Sequence, residues 1–251
     1  MSQSPILKAL SSIQTSGART LLMGGQACVF YGAAEFSRDL DLLILADAPN
    51  LAILGGALDG LDAVVIAVPP LDEGVLAKGH AVHLRCRREG VAGLRIDLMS
   101  SLRGVAGFEE LWARRTTLEV AGETVNLLAM EDLVRAKKTQ RDKDWPMIRR
   151  LVEQSYFAHS RPATEKLVRF WLRELRTPEL LVEAAAAYSE RAYTLAARRP
   201  ALAAAVTGDI ESVRERIEAE EREERRKDRE YWAPLKQELE QLRLARGKRP
   251  T

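Results

Sequence analysis

Cysteine is nearly missing from this chain of 251 residues: Cys28 and Cys86 are the only two, and they make neither a CxxC pair nor a disulfide framework. That pattern fits a reducing compartment. Histidine is almost as scarce, at three residues. His80 and His83 stand three positions apart, which in a strand sends them to opposite faces and argues against a shared metal. His159 reads as a loop residue. Cys28 has no histidine partner in view and reads as a small buried side chain. An excess of one charge is missing too: 38 Lys and Arg against 36 Asp and Glu give a net charge of +2. Any nucleic-acid-binding surface must therefore be a local patch. Long apolar runs are absent as well. The alanine-rich stretches 184–187 and 201–206 fall well short of the roughly 20 residues of a membrane span. The opening MSQSPILKAL shows neither the charged flank nor the apolar core of a secretory leader. The expectation is a cytoplasmic protein. There is no internal repeat.

What remains, 46% hydrophobic and 29% charged residues, is enough for one large domain or two small ones. The first half alternates in type. Ile6, Leu7, Leu10 and Ile13 have helical spacing, ended by Ser16-Gly17. "ARTLLMG" reads as a buried strand, "GQACVFYGA" as a short helix, "DLDLLILA" as the next strand and "NLAILGGALDGL" as a helix. "AVHLRCR" and "LRIDLMSS" alternate as strands. "TTLEVAGETVNLLA" reads as a hairpin turned at Ala121-Gly122. Helices are expected at 130–140, 142–156, 162–175 and 178–198, followed by a charged stretch, so the chain turns all-helical from about residue 160.

The acids in the strands stand out. Side chains two apart share one face of a strand, so Asp39 and Asp41 point one way while Leu40 and Leu42 enter the core. Two carboxylates that close repel unless a cation joins them. A hard divalent ion such as Mg²⁺ answers that need and leaves positions for phosphate oxygens. The bland alternative is a strand end paired with Arg38 or a backbone amide. Two further features favour a site. Gly24-Gly25 closes the preceding strand and opens a helix, where bare backbone can approach a phosphate. Asp97 lies in "LRIDLMSS" opposite Ile96 and Leu98, a third acid in an alternating apolar strand.

The pattern of an apolar run ending in GG, then S-x-D-L-D, then a later strand Asp resembles the nucleotidyltransferase superfamily that includes polymerase beta and antibiotic adenylyltransferases. The matching residues are Gly24, Gly25, Ser37, Asp39, Asp41 and Asp97. "LLAMEDLVRAKKTQRDKDWPMIRRLVE" resembles the segment closing the fold in a small prokaryotic branch with abortive-infection-type toxins. There the match falls on Glu131, Asp132, Leu133, Lys137, Arg141, Lys143, Asp144 and Ile148. Asp142 departs from the proline or glycine expected in that turn. The likeness spans roughly residues 5–156. It implies an α/β (α+β) nucleotidyltransferase fold with a short mixed sheet over residues 1–156, then a helical region over 157–251 ending in a charged helix. It further implies two Mg²⁺ ions (or Mn²⁺) on the metal ligands and catalytic acids Asp39, Asp41 and Asp97. Gly24, Gly25, Ser37, Lys137, Lys138, Arg141 and Asp144 become the nucleotide-binding set. The activity implied is transfer of an NMP from an NTP to a hydroxyl, with pyrophosphate leaving. The implied acceptor is RNA or protein, with an antitoxin as a further partner. The other readings are a small-molecule, antibiotic-type transferase and a non-catalytic nucleotide-binding protein of the same fold.

Between Leu133 and Arg150 seven basic residues, Arg135, Lys137, Lys138, Arg141, Lys143, Arg149 and Arg150, meet two acids, Asp142 and Asp144. That is either a phosphate-binding face or a solvated helix with Asp144 paired internally. Trp145 before Pro146 reads as a packing anchor. The stretch 218–230 reads as a solvated helix projecting from the body, rich in i,i+4 charge pairs. Pro234 is expected to begin a new helix carrying Leu235, Leu239 and Leu242.

Overall fold

A computed structural model of the chain describes residues 4–158 and 163–247. It divides into two compact units. One takes in the residues up to Phe30, Ala34–Ala136 and the chain from Tyr231 onward; the other holds Tyr31–Ala33 and Lys137–Glu230.

The first unit is built on a mixed sheet of seven strands. They are β1 (Thr20–Met23), β2 (Asp39–Ile44), β3 (Ala63–Val65), β4 (Val82–Cys86), β5 (Arg95–Met99), β6 (Thr116–Val120) and β7 (Glu123–Leu127), in the order β3-β4-β5-β2-β1-β7-β6. The central β2 runs antiparallel to β1 and parallel to β5. Leu40, Leu42, Leu43, Ile44, Ile96 and Leu98 are almost fully buried, and each such side chain stabilises the fold by about 1.5–3 kcal/mol. Helix α1 (Pro5–Thr15), capped by the Ser4 hydroxyl, buries Ala9, Leu10 and Ile13. Helix α3 (Ala48–Gly60) is tied to the sheet by buried Asn50. Its amide donates to the carbonyls of Arg19 and Leu45, and its oxygen accepts from the Arg19 N–H. Helix α2 (Gly24–Phe30) follows β1 without a loop. The expected hairpin is present: Ala121 and Gly122 both take positive φ, as a tight two-residue turn requires. Strand β3 and the short helices α4 (Glu73–Ala77) and α5 (Phe108–Ala113) carry no periodicity long enough to be expected. Helix α6 (Met130–Ala136) completes this unit.

The second unit is helical: α7 (Asp144–Ala158), α8 (Glu165–Glu174), α9 (Pro178–Ala187), α10 (Ser189–Ala196), α11 (Pro200–Val206) and the first part of α12 (Ile210–Gly247). One helix was expected over 178–198; two are found, because Tyr188 leaves helical geometry at φ −124° and ψ 46°. Trp171 lies at the centre of the core, its indole N–H donating to the Ser155 hydroxyl at 3.0 Å.

Two expectations for the tail are corrected. Pro234 does not begin a helix; it lies inside α12, at the cost of one i→i−4 hydrogen bond. The contacts beyond it hold the helix in place: Leu235 is buried and Glu238 pairs with Lys78 and His80. Nor is the charged stretch solvated all round. Within 218–230 Asp228 is buried. Asp228 accepts the Gln140 backbone N–H at 2.9 Å, and Arg225 pairs with Asp142 and donates to the Gln140 carbonyl. Charged side chains that meet backbone groups and ion partners can be covered without a large desolvation cost.

Candidate active site

Strand alternation sorts the first unit's acids onto one face. In β2 the leucines at 40 and 42 are buried while Asp39 and Asp41 turn the other way. In β5, Ile96 and Leu98 are buried, leaving Arg95 and Asp97 opposite them; in β4, Val82, Leu84 and Cys86 are buried, leaving His83 and Arg85. Register then aligns these residues in rows. Asp41 stands across from Asp97, which stands across from His83; one row along, Asp39 stands across from Arg95. Directly opposite carboxylates repel in the absence of a cation.

The glycine pair borders this face. Gly24 has φ +66°, and a Cβ there would lie 1.9 Å from Asp41 Oδ2; a Cβ on Gly25 would lie 2.8 Å from Ser37 Oγ. The Gly25 N–H donates to Asp41 Oδ2 over a long 3.4 Å, and the Ser37 hydroxyl donates to the Asp39 carbonyl at 3.1 Å. Both glycines are thus accounted for by the chain itself: their bare backbone makes room for Asp41 and Ser37. So Gly24, Gly25, Ser37, Asp39, Asp41 and Asp97, chosen from the sequence, do come together.

Two members of the face were missed. Asp97 Oδ1 accepts from Arg95 Nε at 2.7 Å and lies 2.8 Å from His83 Nδ1. Burial pushes the Asp97 carboxyl up, but the hydrogen bonds from His83 and Arg95 outweigh it and hold the group below the ordinary carboxylate range. It is ionised at neutral pH. The signal for both was present: His83 alternates with buried Val82 and Leu84, and Arg95 precedes Asp97 by two. His80 is not in a strand with His83: it precedes β4 and lies apart, buried against Glu238. His159 lies outside the described residues.

Three carboxylates on neighbouring strands offer hard oxygen donors, the ligand chemistry of Mg²⁺ or Mn²⁺. Among the described residues no three His, Cys, Asp or Glu side chains draw together as a group able to hold a metal ion. In the present rotamers Asp97 is turned to Arg95 and His83. The donor type and the common face fit a divalent ion at Asp39 and Asp41.

The remaining predicted residues lie in the second unit, around a different acid. Lys137 Nζ donates to Asp144 Oδ1 at 3.1 Å, and these side chains are 6% and 1% exposed. The Thr139 hydroxyl and Arg141 Nε donate to Asp144 Oδ2 at 2.6 and 2.8 Å. Burial acts to raise the Asp144 pKa, and Lys137, Thr139 and Arg141 together lower it below the usual range. Lys138 pairs with Glu174 at 2.7 Å. Arg141 is 59% exposed. Trp145 is buried as an anchor, its indole N–H donating to the Thr139 carbonyl, with the Arg176 guanidinium 4.8 Å from its ring centre.

No protein-family model matches the chain, and no curated protein matches it. Solved structures similar to it include an antigenic nucleotidyltransferase-like protein from Paracoccidioides brasiliensis, at 20% identity over 81% of this chain and 92% of that one, TM-score 0.40. A candidate nucleotidyltransferase from H. pylori is 13% identical over 90% and 94% of the two chains, TM-score 0.39. ANT(2")-Ia in complex with adenylyl-2"-tobramycin is 15% identical over 74% and 95%, TM-score 0.35. Among the described residues no helix is long and apolar enough to cross a membrane.

Proposed function

We propose that the chain is a nucleotidyltransferase that moves an NMP from an NTP to a hydroxyl acceptor. One observation carries the reading: Asp39, Asp41 and Asp97 share one sheet face in neighbouring register, beside bare backbone at Gly24. Asp39 and Asp41 would hold a divalent ion, Mg²⁺ or Mn²⁺. When bound, such an ion supplies positive charge that neutralises the triphosphate. The chain's own residues then position the reactants. Ser37 and the Gly24–Gly25 backbone line the phosphate side of Asp41. Asp97, kept ionised and oriented by His83 and Arg95, accepts the proton of the attacking hydroxyl. The hydroxyl oxygen bonds to the α-phosphorus, the bond to the β-phosphate bridge breaks, and pyrophosphate departs with that electron pair.

Lys137, Lys138, Arg141 and Asp144 are proposed as further nucleotide-binding residues. Lys137 and Asp144 frame the segment, and Arg141, which pairs with Asp144 through Nε, is 59% exposed and presents the rest of its guanidinium to phosphate. Exposed Lys143, Arg149 and Arg150 favour a polyanionic acceptor, so RNA is the acceptor we put first; a toxin role with an antitoxin partner follows from the sequence resemblance. The test uses each α-labelled NTP in turn with Mg²⁺ and total cellular RNA. Label should appear on RNA with the unaltered chain and vanish with Asp39→Ala/Asp41→Ala. Equal labelling by both chains would overturn the proposal.

A further inference from the structure

Asp97 carries its own cation. Arg95 shares its face of β5 and donates to Asp97 Oδ1 at 2.7 Å. It is also the register partner of Asp39 on β2. The guanidinium therefore meets the Asp97 carboxylate directly and stands across from Asp39. His83 fixes Asp97 from the other strand. Its Nδ1 lies 2.8 Å from Asp97 Oδ1 and 3.0 Å from Arg95 Nη2. An oxygen held from two sides is a poor ligand for an added metal ion.

We infer that Arg95 is a built-in counter-cation taking the place of a second metal ion at Asp97, so that the face binds one divalent cation, on Asp39 and Asp41. The inference rests on reading this face as a metal–nucleotide site and deepens it by stating the metal count. Arg95 is a positioning residue, and a second ion enters only when its charge is removed.

The experiment is a Mn²⁺ titration of the full-length chain, with free Mn²⁺ read by electron paramagnetic resonance. The unaltered chain should bind one Mn²⁺. Arg95→Gln should bind a second, or bind Mn²⁺ about tenfold more tightly, as expected when a nearby positive charge is lost. Arg95→Lys should keep the single ion, and Asp39→Asn/Asp41→Asn should bind none. Two ions on the unaltered chain would overturn the inference without recourse to any variant. So would an Arg95→Gln chain, folded by its melting profile, with an unchanged or weaker single site. A chain whose Mn²⁺ binding survives Asp39→Asn/Asp41→Asn, or that binds none, would sink the metal–nucleotide reading itself, and the inference with it.

Discussion

In the sheet unit three carboxylates share one face, and one of them, Asp97, meets the Arg95 guanidinium and the His83 imidazole; in the helical unit a single carboxylate, Asp144, meets Lys137, Arg141 and the Thr139 hydroxyl. The same side-chain types serve different ends. Around Asp144 the acid is saturated and the Lys137 pair is closed to water. That cluster needs nothing more and holds the 137–145 segment in shape. On the sheet face Asp97 is still 16% exposed. A carboxylate on that face can be reached from solvent, whereas the Lys137–Asp144 pair cannot. Burial separates the two clusters, where the residue list alone does not.

The largest effect should come from Asp39→Ala/Asp41→Ala: nucleotidyl transfer falls by at least about 10⁴-fold, or about 5.5 kcal/mol of transition-state stabilisation, while the melting temperature holds. Label-transfer rates and thermal melts read the two together. Asp144→Ala should do the reverse. It strands buried Lys137, and breaking a buried pair costs about 3–5 kcal/mol, visible in denaturant unfolding. If Asp144→Ala left stability intact, the framework role would fail. Gly24→Ala sharpens the comparison from the sheet side. Its positive φ costs an L-residue about 1–2 kcal/mol, and its Cβ would press on Asp41 Oδ2. Expected is a modest loss of stability with a tenfold or greater loss of nucleotide affinity, measured on the folded variant.

The smallest effect is in acid. Asp144 and Asp97 are both more acidic folded than unfolded. Their stabilisation is complete above the unfolded carboxyl value of about 3.9 and is lost as pH falls through the lower folded values. Unfolding free energy should therefore drop below about pH 4. Asp144→Asn should show a shallower drop over the same interval.

Alternation in "DLDLLILA" and "LRIDLMSS" was enough to put Asp39, Asp41 and Asp97 on a common side, because a half-buried strand writes its faces at period two. The hairpin at Ala121-Gly122 was legible for the same reason. The partners of the acids were not. His83 and Arg95 meet Asp97 through cross-strand register, which depends on strand order that no local pattern encodes. The charged stretch 218–230 misled because Asp228 and Arg225 find partners some 85 residues away, and composition alone cannot tell an ion pair from a solvated charge. Pro234 misled because proline marks helix starts on average, while the buried Leu235 and the Glu238 contacts override it here.

The most direct measurement is calorimetric binding of each NTP, with Mg²⁺, to three chains: the unaltered one, Asp39→Asn/Asp41→Asn and Asp144→Asn. The unaltered chain should bind at least one NTP. The sheet-face variant should lose that binding at an unchanged melting temperature. Asp144→Asn, assayed below its lowered melting temperature, should retain it. Undiminished binding by Asp39→Asn/Asp41→Asn would contradict the assignment of the sheet face as the site.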